Sequence, residues 1–165
     1  MSQRLSGVLV GITFGVLVWL EYRRPLRQSV ESKVRRSARN MAVAGMGAAA
    51  LQLAERPVVD LLTRQVECRR WGIVRLLKLP LWLEVTAGAL LLDYTLYLWH
   101  VLTHKSPFLW RFHAVHHVDL DLDASTALRF HMGELLASIP WRAAQIVVIG
   151  VAPLTYSYWQ TGLFM

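Results

Sequence analysis

The chain has 165 residues, 55% of them hydrophobic, with a mean hydropathy of +0.36 and a formal net charge of +7. That is too apolar for one water-soluble domain and suits a small bundle of membrane helices, read here as a single domain over 1–165. The basic residues sit beside long apolar runs without interleaved exposed aromatics, so anionic lipid headgroups are the expected partner and nucleic acid is not. Cys68 is the single cysteine, which rules out an internal disulfide and a thiolate metal site.

In chain order, 5–20 is uncharged and closes with Trp19 and Tyr22, an interfacial aromatic anchor for a helix that barely spans a layer of about 30 Å. Glu21-Tyr22-Arg23-Arg24-Pro25 follows where a cleavage site would need small residues, so a retained helix is expected and not a signal peptide. Gly7, Gly11 and Gly15 recur every four residues, a spacing that allows close helix packing. The stretch 23–39 carries seven arginines and lysines against Glu31 alone and is expected on the cytoplasmic side. Residues 38–54 are small and apolar but run into Glu55-Arg56-Pro57, which predicts a short span or half of a membrane-embedded hairpin. Over 64–78 charges alternate with Trp71, Ile73, Val74, Leu76 and Leu77, the pattern of an interfacial amphipathic helix. The strongest span is 79–103, with Pro80 in its first turn. A polar segment follows over 104–134, then an apolar region over 135–165 broken by Arg142 and Pro153. The expected architecture is all-α: a multi-pass integral membrane bundle of three to four spanning or embedded helices with a cytosolic histidine-rich segment.

All six histidines fall between positions 100 and 131. His100 and His104 are four apart, which on a helix puts both imidazoles on one face a turn apart. His113, His116 and His117 repeat this at i, i+3 and i+4, and His131 stands alone. Imidazole is the usual nitrogen ligand of iron, zinc and copper, so one metal-binding cluster is predicted from all six. Asp93, Tyr97, His100 and His104 share one helical stripe. Asp93 is therefore a candidate to orient an imidazole, directly or through Tyr97, and Glu134 to hydrogen-bond a ligand or favour the start of the last helix. A zinc protease is unsupported, because His113-Ala114-Val115-His116 lacks the general-base glutamate. A haem sandwich needs histidines paired across different spans, and soluble di-iron proteins need Glu-x-x-His pairs that are absent here.

The run from Asp93 to His104, then Leu109 to His117, then Thr126 to Glu134, resembles the fatty acid hydroxylase and sterol desaturase superfamily of membrane histidine-box di-iron oxygenases. Its His-x-x-x-His box falls on His100 and His104, its His-x-x-His-His box on His113, His116 and His117, and its Arg-Phe-His-x-x-Glu stretch on Arg129, His131 and Glu134. Glu21 to Arg27 and Arg39-Asn40 are similar to the family's N-terminal half. The resemblance implies a non-haem di-iron cofactor and O2-dependent hydroxylation or desaturation of a fatty acyl or sterol-like lipid, with an external electron donor. Val101, Ala114 and Met132 depart from residues frequent in the family. The family's later histidines have no counterpart after His131, so a site filled from a longer chain or a partner is expected, with a non-catalytic protein keeping a partial metal site as the alternative.

Overall fold

The computed structural model describes residues 3–24, 30–121 and 124–163, and each regular element among them is helical. The uncharged N-terminal stretch forms α1 (Gln3–Arg23), along which Val8, Leu9, Ile12, Val16 and Leu17 lie exposed. Gly11 and Gly15 meet no neighbour within 4 Å, so that stripe packs against nothing described. The surroundings of Gly7, and residues 25–27 of the basic stretch, lie outside the described residues.

The second apolar stretch neither ends nor turns back at Glu55-Arg56-Pro57. Helix α2 (Lys33–Ala50) passes through a π turn (Leu51–Glu55) directly into α3 (Arg56–Arg69). This makes one helical run about 55 Å long at roughly 1.5 Å per residue. A proline lacks the N–H and crowds the carbonyl four residues back, which ordinarily breaks a helix. Here the wider π turn lies just ahead of Pro57, which lets the run pass a residue that would otherwise break it. The expected short span or hairpin is thus one long helix.

The expected amphipathic helix over 64–78 is also corrected. Residues Val59, Thr63 and Val66 of α3 are buried, and Arg70 adopts the left-handed conformation (φ 54°) that stops the helix. Gly72 (φ 95°) follows, then a single turn, α4 (Ile73–Leu76). Helix α5 (Leu81–Lys105) starts just after Pro80 and runs about 37 Å. Ser106 then caps α6 (Pro107–His117), its hydroxyl accepting from the Leu109 N–H at 3.4 Å. After a 3₁₀ turn (Thr126–Leu128) come α7 (Met132–Ile149) and α8 (Pro153–Leu163). Arg142 does not interrupt the last apolar region; it lies inside α7, 3.6 Å from Glu55, and the break falls at the left-handed Gly150.

Helix α7 is central, packing on α2, α3, α5 and α6, while α8 packs on α5 and α3. Burial is inverted relative to a water-soluble fold: among the described residues nine apolar and fifteen polar or charged side chains are buried. Two helices, α5 and α7, are long and apolar enough to cross a membrane. Only 11% of the apolar stretch of α5 and 28% of that of α7 is buried inside the protein, unlike the mostly buried core helix of a soluble fold.

Candidate metal centre

The histidines collect at the end of the bundle where α5 finishes, α6 crosses and α7 begins. His100 and His104 are one turn apart on α5 with ring centroids 4.7 Å from each other. The sharp Ser106-Pro107 corner folds α6 back so that His113 lies 4.8 Å from both. Ligand nitrogens of His100, His104 and His113 all fall within 4.8 Å of one another. His117 joins them, 5.0 Å from His104 and with its Nε2 3.2 Å from His113 Nε2. His116 is 5.3 Å from His117 and stacks on Phe130 at 5.2 Å. Trp110 covers the outer side, stacked on His117 at 5.6 Å.

Glu134, in the first turn of α7, holds the innermost ring. Its Oε1 lies 2.9 Å from His113 Nδ1, and both residues are buried. Burial raises the Glu134 carboxyl above its ordinary value; in its ionised form it only accepts, which puts the proton of His113 on Nδ1 and its lone pair on Nε2, facing His117. Burial, and then the neighbouring His104 and His117, push His113 below the ordinary imidazole value; burial with His117 and His113 does the same to His116. Both rings are therefore neutral at pH 7, the form that binds a metal.

Two buried atoms test the fit of a cation. Glu134 Oε2 and His116 Nδ1 are among the buried side-chain atoms with no hydrogen-bond partner among the described residues, and either atom could accept a cation at this cluster. An all-nitrogen set with one flanking carboxylate suits iron, zinc or copper. His100, His104 and His113 are thus the residues that could hold one metal ion.

The remaining expected residues sit differently. His131 caps α7, its Nδ1 accepting from the Gly133 N–H at 3.0 Å, and its ring lies on Phe112 at 5.4 Å. That cap occupies its Nδ1. Asp93 accepts from Trp159 Nε1 at 2.6 Å and so ties α5 to α8, while Tyr97 is 60% exposed on the same helix.

Sequence reasoning missed a second polar group beside the histidines. Asp119, just beyond His117, is buried with Arg36, Asn40, Thr126 and Arg129. Burial pushes the Asp119 carboxyl up, but hydrogen bonds from Thr126, Asn40 and the Asp121 N–H, with the Arg36 guanidinium, outweigh it and hold the group below the ordinary carboxylate value. Asn40 and Arg129 stand in stretches that resemble the family, which was the available signal. An aspartate in a polar segment gives none.

Residues 85–165 match the family described as fatty acid hydroxylase. Ornithine lipid hydroxylase OlsE of Rhizobium tropici is 34% identical over 80 residues, which cover 48% of this chain and 24% of that protein. The matched part thus spans about a quarter of the relative's length. No solved structure matches the chain. The matched residues 85–165 include all six histidines, and over this part the chain is similar to the fatty acid hydroxylase family.

Proposed function

We infer that the protein is a membrane-bound, iron-dependent oxidoreductase that hydroxylates or desaturates a lipid with O2 and an external electron donor. The observation that carries this reading is the convergence of His100, His104, His113, His116 and His117 at one end of a bundle whose outer surface is apolar. Bound non-haem iron supplies the activation of O2 and the oxidation of an unreactive C–H bond. The chain's own residues do the rest. His100, His104 and His113 present nitrogens to the metal, with His116 and His117 beside them for a second. Glu134 fixes the tautomer of His113, and the apolar helices let a lipid approach from the bilayer. The substrate class is a lipid, with an ornithine-containing lipid among the first to test given the relative's name.

The mutual distances favour one filled metal site over two. Three nitrogens lie together, and His131 is engaged as a helix cap, so we expect the 165-residue chain by itself to hold one metal and turn over poorly unless further ligands are supplied by another chain or a longer form. The test reconstitutes the protein in liposomes with Fe²⁺, a reductant, O2 and a panel of fatty acyl, sterol and ornithine lipids. Metal analysis is paired with mass spectrometry of the products. Replacing His113, His116 and His117 together by alanine should remove most of the bound iron. Unchanged iron content in that variant overturns the reading, and robust turnover with two irons per chain overturns the single-site expectation.

A further inference from the structure

Beside the histidines, one carboxylate gathers five polar groups from three parts of the chain. Asp119 Oδ2 accepts from Thr126 Oγ1 at 2.7 Å, from Asn40 Nδ2 at 3.1 Å and from an Arg36 guanidinium nitrogen at 3.3 Å. Arg129 lies 3.6 Å away, and Oδ1 accepts from the Asp121 N–H at 3.3 Å. Asn40 also donates to Ser125 Oγ at 2.9 Å, and Arg36 donates to the Asp121 carbonyl. Asp119, Arg36, Asn40, Thr126 and Arg129 are each at most 8% exposed. The group therefore joins α2 to both sides of the connection between α6 and α7.

The covalent neighbours of this group are the histidine centre. Asp119 comes two residues after His117, the last residue of α6. Arg129 is followed by Phe130, which lies nearly parallel to His116 at an interplanar angle of 12°, and by His131, whose cap starts the helix that carries Glu134 to His113. Two guanidiniums and a carboxylate are costly to bury, and an apolar plug would hold three segments together as well. What directed ion pairs and hydrogen bonds add is fixed direction.

We propose that Asp119, held by Arg36 and Asn40 of α2, is a positioning residue: it sets Phe130 against His116 and orients the start of α7, and so holds the imidazoles in their metal-binding arrangement. The proposal rests on the metal reading above for its purpose but not for its geometry, and the experiment separates the two. The full chain in lipid nanodiscs is compared with Asp119→Ala, Asp119→Asn and Asn40→Ala, with the exposed Asp60→Ala as control. The metal-free protein is labelled with diethyl pyrocarbonate, and His116 modification is followed by mass spectrometry. The protein is also titrated with Co²⁺, whose visible bands report coordination number. Expected are His116 labelling several-fold faster and Co²⁺ affinity lowered about 10- to 100-fold with altered bands in Asp119→Ala and Asn40→Ala. Asp119→Asn should fall between, since an amide still accepts from Thr126 but no longer pairs with Arg36. Asp60→Ala should match the wild type.

A purely structural role would lower the melting temperature and leave labelling and bands unchanged, and that result overturns the proposal. A wild type that binds no Co²⁺ overturns the metal reading; faster His116 labelling in the variants then still supports the positioning role, and unchanged labelling overturns it. If Asp119→Ala does not fold, Thr126→Val, which removes the 2.7 Å bond to Asp119 and keeps the carboxylate, gives the same comparison, with unchanged labelling again the overturning result.

Discussion

Glu134 sets which nitrogen His113 offers to its neighbours, and a neutral amide cannot do this as well because it both donates and accepts. Glu134→Gln should therefore lower Co²⁺ or Fe²⁺ affinity about 10- to 100-fold with the helices intact by circular dichroism; wild-type affinity would show that the carboxylate only serves the start of α7. Asp121 gives a pH dependence of defined sign. Its carboxylate accepts from the Glu31 and Val30 N–H groups at 2.9–3.0 Å, and these two bonds hold it below the ordinary carboxylate value. A depressed folded-state pKa contributes stability above the unfolded value of about 3.9, and that contribution is lost as pH falls through the folded value. Below about pH 4, Asp121→Ala should accordingly lose melting temperature less steeply with acid than the wild type. Equal slopes would mean that this clamp does not contribute. Both residues illustrate what spacing reveals. His100 with His104, and His113 with His117, are legible because one helix turn brings them together. The partners that Asp119 and Asp121 find before position 41 lie 79 to 91 positions away, and nothing in local periodicity encodes such a contact.

At the scale of elements, the helical class and the longest apolar helix were legible from apolar runs, and two of the three corrections share one cause: local signals were taken as stops when the tertiary fold absorbed them. Pro57 looks like a break until a π turn is allowed before it, and Arg142 looks like an interruption until Glu55 faces it from the π turn. The true stops are two glycine turns that touch. A Cβ on Gly72 would lie 2.2 Å from the Gly150 backbone, and both residues have positive φ, 95° and 90°. Gly88 on α5 is tight in another way, since its Cβ would meet only Thr155 Cγ2, at 2.7 Å. Backbone cannot give way as a side chain can. Gly72→Ala should therefore cost about 3 kcal/mol or more. For Gly88→Ala, a clash of about 1–3 kcal/mol is offset by roughly 1 kcal/mol of helix propensity. Thermal unfolding of the two variants in detergent ranks them; a milder loss for Gly72→Ala would mean that the two turns do not rely on this contact.

At the scale of the whole molecule, the long run from Lys33 to Arg69 puts the two basic stretches at opposite ends of the bundle. Lys33 and Arg36 are at the histidine end, where Arg36 reaches Asp119, whereas Arg69, Arg70 and Lys78 flank α4 at the start of α5. Counting arginines along the sequence therefore cannot orient the chain, because each face receives a share and the rule depends on asymmetry. Geometry supplies the missing relation: α5 is about 37 Å long, enough to separate its ends by a hydrocarbon layer of about 30 Å. Exposed Cys68, near the end of α3, and Ser106, just after α5, should then lie on opposite faces of the membrane. We expect the histidine face to be cytoplasmic, where electron donors are supplied. A membrane-impermeant maleimide added outside spheroplasts should accordingly modify native Cys68. In the Cys68→Ser background, Ser106→Cys should react only after the membrane is opened. Labelling of both positions from one side would remove α5 as a span, and the reverse pattern would keep the span but put the histidines on the outer face.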